Sequence, residues 1–83
     1  MTADQYREAL RRLGLTQGAA ARLMGVSPVT GRRWAREDGP PRAVAMVCVL
    51  MIDHRLRPAT VLRMMERYGL MTEEEVERCQ SSA

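Results

Sequence analysis

The 83-residue sequence predicts an all-α fold of five to six short helices, and three observations predict it. Apolar residues recur at three- and four-residue intervals, and no stretch alternates polar with apolar residues as a half-buried strand would. Serine, threonine and proline stand where helices would begin, and glycine stands where they would end. Two capping boxes, Thr2 with Gln5 and Thr72 with Glu75, lie near the two ends of the chain.

Each element follows from this punctuation. The first helix starts after Thr2 and places Tyr6, Leu10 and Leu13 on one buried face. Gly14 supplies the left-handed residue that ends it, and Leu15 folds back toward Leu10. Thr16 caps a second helix that runs through Ala20, Leu23 and Met24 to Gly25, with Val26 behind the glycine. Ser27 caps a third, with Pro28 in its first turn, where a missing N–H costs nothing. "EDGPP", residues 37–41, is expected to be a tight non-helical loop. "PRAVAMVCVLMID" is a fourth helix and "HRLR" a connector. Pro58 then opens a fifth helix, expected to bury Val61, Leu62, Met65 and Tyr68 and to end at Gly69 and Leu70. The last helix, after Thr72, has only Val76 and Cys79 as apolar anchors and is expected to fray beyond Gln80.

Composition narrows the function. All 13 basic residues are arginine, against 10 acids, for a net charge of +3. Residues 1–42 carry 8 arginines and 4 acids, net +4, whereas residues 43–83 carry 5 and 6, net −1. An anionic partner on one face and a merely solvated basic surface both fit that asymmetry. Cys48 and Cys79 match no metal spacing, which points to reduced thiols in the cytosol with Cys48 packed as a small hydrophobe; an intermolecular disulfide is the alternative. "MTADQYREAL" lacks the apolar centre of a signal peptide, so export is not expected. The longest apolar run, Ala43–Ile52, would be about 15 Å long as a helix against a bilayer core of about 30 Å, so no membrane span is expected. His54, alone in "DHR", lacks the partners a metal or catalytic role needs, and Glu73, Glu74, Glu75 and Glu77 suit the positive end of a helix dipole. With no phosphate loop, no histidine–carboxylate–nucleophile set and no metal spacing, neither a cofactor nor an enzyme is expected.

The informative stretch is "GVSPVTGRRWARE", residues 25–37. At 100° per residue, Arg32, Arg33 and Arg36 fall within about 60° of Val29. Ser27, Gly31 and Trp34 gather on the opposite side, with Thr30 at the boundary. Trp34 is therefore expected in the core, and Gly31 beside it lets another backbone approach, at a helix-propensity cost of about 1 kcal/mol. The other side presents three guanidinium groups around one branched apolar residue, with no acid between Arg22 and Arg36. The serine–proline start leaves amino-terminal N–H groups open to anions. A short helix entering another through a glycine turn is the layout of a helix-turn-helix, whose second helix enters the major groove of DNA.

"LTQGAAARLMGVSPVTGRRWARE" resembles the helix-turn-helix of the Cro/CI (xenobiotic-response-element) family of phage and bacterial regulators. Gln17 stands at the start of the motif's first helix, Ala21 is the small residue where the helices cross, Gly25 makes the turn, Val26 follows it, and Trp34 closes the core. The resemblance covers residues 2 to about 52. It departs at Gly31, where the family has a branched apolar residue. It implies a lambda-repressor-like fold and double-stranded DNA as partner. In that reading Gln17 touches a phosphate and braces the recognition helix, while Ser27, Pro28, Val29, Arg32 and Arg33 look across the groove floor. An arginine fork spans guanine O6 and N7, and Val29 suits a thymine methyl. Thr30, Arg36 and Arg42 are placed for phosphates.

Residues 1–56 are read as a four-helix DNA-binding core, and residues 57–83 as a helical extension packed on the same domain and available for dimerisation. "AVAMVCVLMI" is apolar on every side, so it must be wrapped by the monomer or lie partly in a two-fold interface. The family binds DNA as dimers, and Met46, Met51, Met64, Met65 and Met71 read as a surplus methionine surface, so a homodimer through the fourth helix or residues 58–68 is expected. The expected function is a sequence-specific transcriptional repressor acting as a homodimer through helix 27–36, cytoplasmic and on the nucleoid when bound. The alternative is an antitoxin-like or adaptor module whose methionine-rich half binds a partner protein.

Overall fold

A computed structural model describes residues 1–82, with side chains placed as far as Cys79. Its elements are α1 (Ala3–Leu13), α2 (Gln17–Met24), α3 (Pro28–Arg33), α4 (Arg42–Asp53), α5 (Pro58–Arg67) and α6 (Glu73–Ser82), with no strand among the described residues. The fold is all-α, as the sequence predicts. A π turn, Trp34–Asp38, prolongs α3.

The helix ends are set locally. Thr2 accepts from the Gln5 N–H at 3.1 Å while Gln5 Oε1 accepts from the Thr2 N–H at 2.8 Å, so the capping box is complete. Thr16 and Ser27 accept from the N–H groups of Ala19 and Thr30. At the end of α2, Gly25 adopts φ 73°, which lets the Val26 N–H return to the Ala21 carbonyl at 2.9 Å. A side chain at that φ would be strained, so the turn into α3 needs its glycine. The loop is shorter than expected: Glu37 and Asp38 belong to the π turn, and only Gly39, Pro40 and Pro41 separate it from α4. The bar on helix applies to the prolines, and it does not reach back to the two acids.

Two apolar clusters form the core. The first joins Tyr6, Ala9 and Leu10 of α1 to Ala20, Trp34, Ala35 and Cys48. The second joins Leu23 to Met51, Leu62, Met71, Val76 and Cys79. Val76 and Cys79 anchor α6 as the sequence implies. The expected fraying beyond Gln80 falls on residues whose side chains lie outside the described ones. Both cysteines are free and buried, and burial raises both thiols above their ordinary pKa. That leaves the intermolecular disulfide without access.

The second half departs from the sequence reading in three places. First, the monomer does not wrap α4 on every side, so of the two expected settings the wrapped one does not hold. Cys48 and Met51 are buried and Val44 and Ile52 half-buried, whereas Met46, Val47, Val49 and Leu50 face solvent. Second, α5 buries Leu62 alone, with Val61 and Met65 half-covered and Tyr68 73% exposed. The helix stops at Arg67, so Tyr68 lies past the turn that packs. Third, the methionine surface shrinks: Met51 and Met71 are core residues, and only Met46 and Met64 of the five are exposed. Among the described residues no helix is long and apolar enough to cross a membrane, and no group of His, Cys, Asp and Glu is placed to hold a metal ion.

Candidate nucleic-acid interface

The third helix is divided as its periodicity predicts. Its inner side carries Gly31, which is buried, and Trp34, 8% exposed. The indole meets the Tyr6 ring edge-on, with centroids 6.1 Å apart and planes at 83°. Such a pair contributes about 0.5–1.5 kcal/mol beyond its buried area. Tyr6 is completely buried, and its hydroxyl has no hydrogen-bond partner among the described residues. Desolvation, with a smaller repulsion from Cys48, pushes its pKa up to about 12.

Gly31 sets the crossing of α2 and α3. A Cβ on Gly31 would stand 2.9 Å from the Ala21 Cβ and 3.6 Å from the Gln17 carbonyl oxygen. Ala21 is therefore the crossing residue, and the absence of a side chain at Gly31 lets the helices meet there. A branched residue at this position would require wider spacing, which gives the departure at Gly31 a physical consequence.

The outer side faces solvent. Val29 is 58% exposed, and Arg32, Arg33 and Arg36 are exposed around it. Ser27 and Pro28 are exposed at the start of α3, and Thr30 is half-buried at the boundary. The Ser27 hydroxyl is engaged, accepting from the Thr30 N–H at 3.2 Å and donating to Thr30 Oγ1 at 3.1 Å. Gln17 is exposed as the first residue of α2 but makes no side-chain hydrogen bond to α3 among the described residues. Its carbonyl oxygen lies beside Gly31, 3.6 Å from where a Cβ on that glycine would stand. Arg42 is exposed in the first turn of α4, where a cation opposes the helix dipole. The indole is thus inside, and Arg32, Arg33 and Arg36 are uncovered.

Two contributors escaped sequence reasoning. Arg7 of α1 donates to the Ala35 carbonyl and pairs with Asp4, tying α1 to the π turn. The Asp4–Arg7 spacing marks an ion pair on a helix, but nothing local signals a bond across 28 residues. Asp38 pairs with Arg33 at 2.9 Å. The arginine face thus carries a neutralising acid, supplied from beyond the acid-free interval between Arg22 and Arg36.

The structure therefore defines an all-α chain that sets a short arginine-bearing helix on a packed, indole-anchored base. Over 50 residues the chain is 46% identical to the transcriptional repressor protein KorC of Escherichia coli, a match covering 54% of this chain and 59% of that protein. The aligned segment is thus a little under three-fifths of the curated relative it resembles. No protein-family model matches the sequence, and no solved structure matches it.

Proposed function

We propose that the protein is a sequence-specific double-stranded DNA-binding repressor that acts without chemistry, through insertion of α3 in the major groove as a helix-turn-helix of the Cro/CI kind. The observation that carries this reading is the split of α3: Gly31 and Trp34 packed inward, with Val29, Arg32, Arg33 and Arg36 presented to solvent. The likeness to a protein named as a transcriptional repressor supports it. Arg32 and Arg33 read base edges with Val29 between them; Ser27 and Pro28 approach the groove floor through their backbone; Gln17, Thr30, Arg36 and Arg42 meet phosphates. The protein works in the cytoplasm, on the nucleoid when bound.

The reading includes a homodimer. Val47 and Leu50 of α4 line an open apolar groove of about 300 Å³ with Leu56, Val61, Met64 and Tyr68. A second copy covers this face better than water does. One copy measures 32 × 27 × 19 Å. A two-fold dimer of copies this size suits paired half-sites, whose centres lie about one DNA turn, roughly 34 Å, apart.

Selection from random duplexes, followed by anisotropy titrations of the winning site, tests the reading. A symmetric preferred site is expected, with affinity falling steeply as salt rises. Arg33→Ala should relax preference at one base pair at a cost of about 1–3 kcal/mol, while Arg36→Ala weakens all sequences alike. Absence of a preferred site together with a flat salt titration would favour the protein-interaction module instead.

A further inference from the structure

Arg33 and Asp38 are five positions apart, which is about 140° of rotation in an α-helix. The carboxylate would then lie well away from the guanidinium. The π turn changes this, because closing i to i+5 brings the two ends of the interval to one side. Arg33 Nη2 and Asp38 Oδ2 lie 2.9 Å apart, with both side chains more than half exposed. An exposed pair of this kind shifts an equilibrium by less than about fivefold. It is therefore a weak reason for the fold to adopt a rare helical turn.

The acid's backbone is fixed independently of the arginine. Trp34 and Ala35 are both buried, and Arg7 bonds the Ala35 carbonyl. Gly39 presses on the amino terminus so closely that a Cβ there would collide with the Met1 carbonyl oxygen. Asp38 thus stands on a clamped turn, and Arg33 is the long, rotamer-rich side chain of the pair. A guanidinium has five N–H donors in a rigid fork, so one Nη can stay with the carboxylate while the other donors face a base. Arg32 and Arg36 form no ion pair among the described residues, which singles out Arg33.

We propose that Asp38 is a positioning residue for Arg33: it holds the guanidinium in the pose that reads a base edge and, by its own charge, disfavours indiscriminate phosphate contact. The proposal rests on α3 being the DNA-reading helix. Asp38 lowers affinity for all DNA and sharpens the choice among sequences. The π turn is the device that brings it to the face.

The test uses the full chain, the duplex selected by the wild type from a random-core library, and a scrambled duplex of the same length. Asp38→Ala should bind the scrambled duplex about two- to fivefold more tightly, since one repelling charge is gone. Its preference for the selected duplex should fall about three- to fivefold, with the loss confined to the base pair at which Arg33→Ala loses preference. Asp38→Asn keeps an oxygen acceptor and should retain more of the preference, and it carries the test if the alanine variant unfolds. In an Arg33→Ala background, Asp38→Ala should change preference at no position. If Asp38→Ala tightened both duplexes by the same factor, the acid would be a plain negative charge and the proposal would be overturned. If the wild type selected no duplex over the scrambled one, the DNA reading would fall first and take the proposal with it. The two failures therefore leave different records.

Discussion

Gly31→Ala is a single added methyl group, and it probes the crossing on which the candidate interface is built. In an exposed helix the change would stabilise the protein by about 1 kcal/mol, because alanine loses less backbone entropy than glycine. Here the new Cβ would lie 2.9 Å from the Ala21 Cβ. Ala21 is 1% exposed and has no rotamer to yield, so α2 and α3 must part by several tenths of an ångström. Overpacking of this kind costs about 1–3 kcal/mol, so the net expectation is a loss of about 0–2 kcal/mol. At about 4–8 °C per kcal/mol for a domain of this size, the thermal midpoint followed by circular dichroism should fall by several degrees. Ala21→Gly alone should also destabilise, by about 1–2 kcal/mol, through lost helix propensity and one lost methyl. The double variant moves the methyl across the contact without crowding it, so it should be more stable than the sum of the single losses by 1 kcal/mol or more. A rise of about 6 °C in Gly31→Ala, the full propensity gain, would refute the close crossing. Strict additivity in the cycle would refute it equally.

Tyr6→Phe should leave stability unchanged or raise it, since the lost hydroxyl is buried without a partner, and urea unfolding that showed a loss above about 1 kcal/mol would reveal a hydrogen bond there. The same residue sets an alkaline limit. Its folded pKa is raised to about 12 from an ordinary 10.0, so the phenol's contribution is fully present below pH 10 and lost as pH climbs toward 12. The loss is about 2–3 kcal/mol, the cost of keeping an ionised phenol buried, and in pH-dependent melts the alkaline loss should be smaller by that amount in Tyr6→Phe, where the buried Cys48 and Cys79 thiols still titrate. Arg55→Gly should stabilise by about 0.5–1 kcal/mol, because Arg55 holds φ 52° at the end of α4 and glycine relieves that strain at some entropic cost; a lower melting temperature would mean the Arg55 side chain packs usefully. Leu50→Glu places a charge on an exposed position of α4, so light scattering should give a monomer mass with an unchanged circular dichroism spectrum. A wild type already monomeric at tens of micromolar would remove the dimer.

What could be read from the sequence was what is decided within a few residues. The caps at Thr2, Thr16 and Ser27 and the turn at Gly25 depend on neighbours three or four positions away, so α1, α2 and the start of α3 fell where expected. The facing of Trp34 and Val29 followed from helical period alone. The π turn could not be read this way. It accompanies the burial of Trp34 and Ala35 together in one cluster with Tyr6 and Ala9, and an Arg7 bond spans 28 residues. Asp38 reached the candidate interface only through that turn. In the second half, apolar composition stated that α4 wants cover on all sides, but it does not count the neighbours available. Only the side holding Cys48 and Met51 found them. Tyr68 kept the period of α5 after the helix itself had ended.

The two core clusters meet at α2, and this bears on how the halves of the chain depend on each other. Ala20 belongs to the cluster with Trp34, and Leu23, three residues on, belongs to the cluster with Leu62 and Cys79. Ala21, between them, is the residue against which Gly31 crosses. One eight-residue helix thus supports the arginine-bearing helix on one side and the carboxyl-terminal helices on another. A helix so short has little stability of its own and takes its position from what packs on it. The carboxyl-terminal helices are therefore part of what orients the arginine face, although none of their described residues lies on it. Met71, Val76 and Cys79 hold that support through a few apolar contacts, so loosening them would be felt first at Leu23 of α2 and, through Ala20 on the same helix, in the cluster with Tyr6 and Trp34.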